Sequence, residues 1–201
     1  MDCLPVVIIG APRSGTNMLR DILASFDGVA TWPCDEINYI WRHGNVRYPS
    51  DVFPAALGRP PVKKYIRNRF DEVSRKFKSD IVVEKTCANS LRVDFVNQVL
   101  PEAKFIYIYR DGIDATGSAK LRWTAKLDVP YIIEKVKFVP KSDLAYYGLR
   151  YLWARVYRLL SKDKRVAFWG PALTNMQEIL KNHSLEEVCA IQWQKCVDKA
   201  E

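Results

Sequence analysis

Two groups of residues in this chain have the types and spacing for chemistry on a small anion. The first is Gly10-Ala11-Pro12-Arg13-Ser14-Gly15-Thr16-Asn17, a glycine-bounded loop between the apolar run Pro5 to Gly10 and an amphipathic stretch. Such a loop aims several backbone N–H groups and the dipole of the following helix into one concavity, which holds phosphate without a dedicated cage of cations. The nucleoside-triphosphatase form, G-x-x-x-x-G-K-[ST], sets a lysine on the β/γ phosphates and a hydroxyl on magnesium. Here Thr16 stands at the lysine position, Asn17 stands at the hydroxyl position, and the basic residue has moved earlier, to Arg13. A triphosphate is not neutralised in the familiar way without that lysine and hydroxyl; a donor with one bridging phosphate needs less. The second group lies in FIYIYRDGIDATGSA, where a strand ends at Arg110 and Ser118 follows on the next helix. An arginine at a strand's carboxyl end and a serine two turns into the helix can converge their N–H and O–H donors on one phosphate.

The elements that position these groups are legible in outline. PVVIIG is rich in β-branched residues and suits a strand buried on both faces of a parallel sheet. Met18, Leu19, Ile22, Leu23 and Phe26 recur at helical spacing, and Asp27-Gly28 closes that helix. Ile81 to Val83 reads as a strand, Leu91 to Leu100 as a helix, Lys104 to Tyr109 as another buried strand, and Asp111 to Lys120 as the start of a further helix. Strands alternating with helices predict an α/β fold with a parallel sheet. A long amphipathic helix follows at about Ser142 to Ser161, then a strand candidate at Arg165 to Trp169. A last helix opens with the capping box Ser184/Glu187, ahead of an apolar stripe of Val188, Ile191 and Val197.

With 201 residues, one domain is the expectation. An apolar fraction of 48%, a charged fraction of 27% and a mean hydropathy of −0.19 match a globular chain and exclude long disorder or a collagen-like repeat. No apolar run approaches the ~20 residues of a spanning helix. MDCLPVVIIG lacks a basic leader and reads as a strand, not a secretion signal, so a cytoplasmic location is expected. The net charge of +8 points to an anionic partner. Much of it sits in Gly58 to Ser79, read as an amphipathic surface helix with solvated charges, or else as a rim that draws in an anionic substrate. No groove-reading motif or stacking platform accompanies those charges, so nucleic acid is not the expected partner. Five widely spaced cysteines and two histidines make a disulfide framework or structural zinc unexpected and favour a reducing compartment.

Taken in order, PRSGTN after a strand and the Arg110–Ser118 element resemble the sulfotransferases that use 3′-phosphoadenosine 5′-phosphosulfate (PAPS), in the arginine-bearing form of the tyrosylprotein and carbohydrate enzymes. The resemblance implies a three-layer P-loop-type fold, a central parallel sheet flanked by helices. It implies sulfuryl transfer from PAPS to an acceptor hydroxyl on a carbohydrate, tyrosyl peptide or small alcohol, with PAP as product and no metal. Arg13, Ser14, Gly15, Thr16 and Asn17 would hold the 5′-phosphosulfate, and Arg110 and Ser118 the 3′-phosphate. Lys85, in EKTC, matches the family's lysine beside the transferring group, where it and Arg13 would stabilise the leaving-group charge. The small-molecule enzymes carry a histidine two residues after that lysine, but Cys87 stands here. Asp35-Glu36-Ile37-Asn38-Tyr39-Ile40 is instead similar to the tyrosylprotein-type segment, which makes Glu36 the expected general base and His43 the runner-up. The family's adenine-stacking aromatic is replaced by Met18, with Tyr107, Tyr109, Trp123 and Trp169 as alternatives. The likeness covers roughly residues 4 to 120. The family's final strand and basic cover loop are not found before Glu201, so the expectation is one sulfotransferase-like domain, 1–201, without them. A homodimer is among the assemblies left open. A P-loop nucleotide kinase and a non-catalytic nucleotide-binding module are the alternative readings.

Overall fold

The computed structural model describes residues 1–124, 135–160 and 169–201. Among them, β1 (Leu4–Ile9), β2 (Val29–Thr31), β3 (Ile81–Lys85) and β4 (Lys104–Tyr107) form one parallel sheet in the order β2-β3-β1-β4. β1 lies between its two neighbours, with Val7 in register with Glu84 on one side and Phe105 on the other. Val7 and Ile8 are fully buried, as a two-sided parallel strand requires. The sheet therefore brings the carboxyl ends of β1, β3 and β4 side by side, where ligands bind in open α/β sheets.

The helices are α1 (Thr16–Leu23), α2 (Asn38–Trp41), α3 (Pro60–Phe77), α4 (Val93–Val99), α5 (Gly112–Trp123), α6 (Leu144–Leu160), α7 (Met176–Asn182) and α8 (Leu185–Ala200). One core joins the sheet to α3 and α4 through Val7, Ile9, Ile66, Phe70 and Phe95, with Trp32 and Trp41 set edge-on to the Phe70 ring at 4.8 and 6.1 Å. A second core, with Leu91, Trp123, Met176, Val188 and Cys196, packs α5 against α8. The expected architecture, a parallel sheet flanked by helices, is the one observed.

The expected elements recur with shifted ends. The strand at Ile81 runs on to Lys85, and the helix predicted from Leu91 begins as a 3-10 turn, Cys87–Leu91, before α4, because Arg92 leaves helical backbone (φ −147°, ψ 40°) between them. Asp111 caps α5, its carboxylate accepting from the Ile113 and Asp114 N–H groups at 2.9 and 3.2 Å. Both halves of the Ser184/Glu187 capping box are present. Residues 165–168 of the strand candidate Arg165 to Trp169 lie outside the described residues.

One expectation needs correction. Lys104 to Tyr109 was expected as a buried strand, but β4 is four residues long and forms the sheet edge, leaving Phe105 and Tyr107 exposed. The apolar stripe of α1 is divided: Leu19 and Leu23 are half-buried, while Met18, Ile22 and Phe26 are exposed. Helical periodicity identified an amphipathic helix, and the described residues cover its apolar side only in part. The basic segment is α3, which buries Val62, Ile66, Phe70 and Val73 while Arg67 pairs with Glu102, Arg69 with Glu72 and Arg75 with Asp2 on the solvated side. All five cysteines are free thiols. No helix among the described residues is long and apolar enough to cross a membrane.

Candidate active site

The loop after β1 is shaped by close approach. A Cβ on Gly10 would lie 2.7 Å from the Ile108 carbonyl oxygen and 2.8 Å from Thr16 Cγ2, so glycine is the only residue that lets β4 and α1 come this near. The Gly10 N–H donates to Ser90 Oγ at 3.1 Å, which fixes the loop's first residue to the turn after β3. Gly15 (φ 85°) and Arg13 (φ 71°) both take left-handed backbone. For Arg13 that conformation costs on the order of 1 kcal/mol, and it turns the chain so that Ser14 faces inward. Ser14 is 4% exposed and its Oγ has no hydrogen-bond partner among the described residues. A buried hydroxyl without a partner, beside the first-turn N–H groups of α1, fits an anionic oxygen that accepts from both.

The Arg110–Ser118 element folds onto the glycine loop. Arg13 Nε donates to Ser118 Oγ at 2.8 Å, and Arg110 Nη1 donates to the Arg13 carbonyl at 3.2 Å. Residues of the β1–α1 loop, the end of β4 and the middle of α5 thus form one cluster. Both guanidinium groups are exposed, and Arg110 also reaches Asp114 at 3.3 Å. Trp193 of α8 donates from Nε1 to the Arg110 carbonyl at 3.2 Å and lies flush on Gly112, where a Cβ would come within 2.9 Å of its ring.

At the end of β3, Lys85 Nζ pairs with Glu36 Oε1 at 3.0 Å; the lysine side chain is 3% exposed and the glutamate 28%. The Cys87 N–H also donates to Glu36 Oε1, at 3.3 Å. Cys87 Sγ lies 3.9 Å from Lys85 Nζ and 3.8 Å from Thr16 Oγ1, linking this pair to the glycine loop. Burial alone would push the Glu36 carboxyl up, but Lys85, Lys135 and the two hydrogen bonds outweigh it and hold the group at about 2. Burial likewise pulls Lys85 down, and the groups facing it, Cys87 and Glu36, more than reverse that. The Cys87 thiol is itself pushed up to about 12 by burial, so at neutral pH it is uncharged and Glu36 is the counter-ion of Lys85. The arrangement is a fixed cation, a carboxylate and a row of N–H donors along the carboxyl edge of the sheet.

The structure thus clusters Arg13, Arg110 and Ser118, brings Glu36 to Lys85, and sets Ser14, Gly15, Thr16 and Asn17 at the start of α1. His43 is elsewhere: its Nδ1 is 2.8 Å from Asp143 Oδ2 and its ring lies against Tyr65 at 3.9 Å. Trp123 is wholly buried in the second core and Trp169 packs against that core, which takes both away from a nucleotide base. Tyr109 is exposed beside Trp193, with ring centroids 6.4 Å apart, next to Arg110. Three contributors escaped sequence reasoning: Ser90, Thr86 and Trp193. Each acts on a backbone group distant in sequence, for which spacing carries no signal. Among the described residues no cluster of His, Cys, Asp or Glu is arranged to hold a metal ion.

A model of the sulfotransferase family matches residues 55–199, most of the chain, and the chain belongs to that family. The matched span holds Lys85, Arg110 and Ser118; the glycine loop and Glu36 precede it. Among solved structures, the sulfotransferase domain from the curacin biosynthetic pathway is similar at 13% identity and a TM-score of 0.43, over 100% of this chain and 96% of that chain. No curated protein sequence matches.

Proposed function

We infer that the protein is a cytoplasmic PAPS-dependent sulfotransferase, transferring the sulfuryl group to an acceptor hydroxyl with Glu36 as general base. The observation that carries this reading is the hydrogen bond from Arg13 to Ser118, residues 105 apart in the chain, which supports one site built from the glycine loop and the Arg110–Ser118 element. A donor carrying phosphate at both ends of its sugar needs two such elements; a simple nucleotide monophosphate needs one. The orphan hydroxyl of Ser14 and the α1 N–H groups support phosphate binding at the loop, and the exposed guanidinium groups of Arg13 and Arg110 supply the charge.

When bound, the donor supplies a sulfuryl group on a bridging phosphate oxygen, a chemistry no side chain of this chain possesses. Lys85 and Arg13 meet the negative charge that develops on that oxygen, and the nearly dry setting of Lys85 strengthens its effect. Glu36 takes the acceptor's hydroxyl proton. At about 2 it is a weak base while paired. With Lys85 turned toward a bound donor, Glu36 would lose its nearest cation and keep only Lys135 and the Cys87 N–H against the pull of burial, so its basicity would rise from that low value. The ion pair therefore keeps the base protected until the donor is present. The acceptor is a hydroxyl compound, of which a carbohydrate, a tyrosyl peptide and a small alcohol are the candidates.

Calorimetry with adenosine 3′,5′-bisphosphate against ATP–magnesium tests the donor class: metal-independent binding of the bisphosphate and none of ATP is expected, and the reverse pattern refutes it. Radiolabelled sulfate transfer from PAPS to a panel of alcohols, sugars and tyrosyl peptides, with Arg13→Ala and Glu36→Gln as controls, then tests catalysis. Full activity in Glu36→Gln removes the base assignment.

A further inference from the structure

Behind Glu36 lies a ring of polar side chains that the chemistry above does not use, tied on its outer side to Asp51, which accepts from Arg92 Nη1 and Asn38 Nδ2 at 3.4 Å each. Glu84 Oε1 accepts from Thr86 Oγ1 at 2.5 Å and its Oε2 accepts from Asn89 Nδ2 at 2.9 Å. Asn89 Oδ1 accepts from Arg92 Nε at 2.9 Å, and Arg92 Nη2 donates to Asn38 Oδ1 at 2.6 Å. The set closes through the backbone of the Glu36 segment, because the Ile37 N–H donates to Thr86 Oγ1 at 3.2 Å. Glu84, Thr86, Asn89 and Arg92 are all 2% exposed or less. Burying a carboxylate, a guanidinium, an amide and a hydroxyl together is costly, and apolar residues of similar volume would fill the space as stably. What the polar groups add is direction: each donor faces one acceptor, so the Ile37 backbone and the Asn38 side chain have one place to sit.

We propose that this ring is a positioning device that grips residues 37 and 38 from behind and so holds Glu36 on Lys85 in front of the phosphate loop. The alternation of a strand end explains the design. Lys85 points one way to Glu36, while its neighbours Glu84 and Thr86 point the other way to hold Ile37, so consecutive residues of one segment clamp consecutive residues of the other. The Thr86 hydroxyl is the hinge-pin of the clamp, accepting from Ile37 and donating to Glu84 at once. The proposal rests on Glu36 being the base.

The test is Thr86→Val, which keeps the shape and removes the hydroxyl, with Thr86→Ser as the conservative rescue. For an orientation defect, kcat of PAPS-dependent transfer is expected to fall about 10–100-fold with the donor KM within about twofold, and Thr86→Ser to restore most of it. The acidic limb of the kcat/KM pH profile, which reports the free enzyme, should move upward, because there a loosened Glu36 is less stabilised by Lys85. A readout independent of turnover is the stability lost on Glu36→Gln at pH 7, which should be at least halved in the Thr86→Val background. Wild-type kcat with an unmoved acidic limb in folded Thr86→Val, or equal losses in Thr86→Val and Thr86→Ser, overturns the proposal. If Thr86→Val does not fold, Asn38→Ala, which frees the partly exposed end of the ring, is measured in the same way: a fall in kcat with an upward-moving acidic limb supports the ring, and wild-type kcat with an unmoved limb overturns it. An inactive Glu36→Gln beside a fully active Thr86→Val sinks the ring alone; a fully active Glu36→Gln sinks the base and the ring together.

Discussion

The Glu36–Lys85 pair makes a quantitative prediction about stability. Its carboxylate is held at about 2 against an ordinary value of 4.5, so the folded state binds the ionised form more tightly than the unfolded chain does. A group with a lowered folded pKa contributes stability that is fully present above the unfolded value and is lost as pH falls through the folded one. At 1.36 kcal/mol per pH unit, the depression corresponds to about 3 kcal/mol at pH 7, shrinking to about 2 kcal/mol at pH 3.5. Glu36→Gln mimics the protonated form, and it should cost that much at each pH. The site supports a value of this size: Lys85 is 3% exposed, so removing its partner leaves a buried ammonium with little solvent to screen it. Guanidinium chloride unfolding of the wild type and Glu36→Gln at pH 7 and pH 3.5 measures both differences. A double-mutant cycle with Lys85→Met supplies the coupling, expected at about 2–3 kcal/mol. A Glu36→Gln cost that is independent of pH, or a coupling below about 0.5 kcal/mol, refutes the buried ion pair.

Three further outcomes follow from the geometry. Ser14→Ala should weaken binding of adenosine 3′,5′-bisphosphate about 10–100-fold by calorimetry, the worth of a hydrogen bond to a charged group, while leaving thermal stability unchanged or slightly raised, since Ser14 Oγ has no partner to lose among the described residues. Gly10→Ala should destabilise the fold by about 1–3 kcal/mol in denaturant unfolding, because its methyl would meet the Ile108 carbonyl at 2.7 Å. Glu84 is raised to about 7 by burial, against the opposing bonds from Thr86 and the nearby Arg92 charge. The folded state thus keeps that proton longer than the unfolded chain, so stability should fall as pH rises from about 4.5 through about 7, measured as Tm across that range; a flat Tm there would contradict the burial of Glu84.

Periodicity and local signals belong to the sequence. The glycine-bounded loop between strand and helix, the alternation of strands and helices, the Asp111 cap and the Ser184/Glu187 box are all decided by residues within a few positions of one another, and each is found where the pattern points. Arg13, Arg110 and Ser118 were also nameable from residue type and position between strand and helix, and Lys85 and Glu36 from the family resemblance alone. Their meeting was not. That Arg13 donates to Ser118, that Glu36 faces Lys85, and that Thr86 holds Ile37 depend on the order β2-β3-β1-β4, which sets the ends of β1, β3 and β4 together. Exposure was equally out of reach: the same apolar run that suggested a buried strand describes β4 at the sheet edge, and one helical stripe holds half-buried Leu19 and Leu23 beside exposed Met18, Ile22 and Phe26. Periodicity reports which side of an element is apolar. Whether another layer covers that side, and which distant backbone group a buried hydroxyl finds, is settled only when the whole chain has packed.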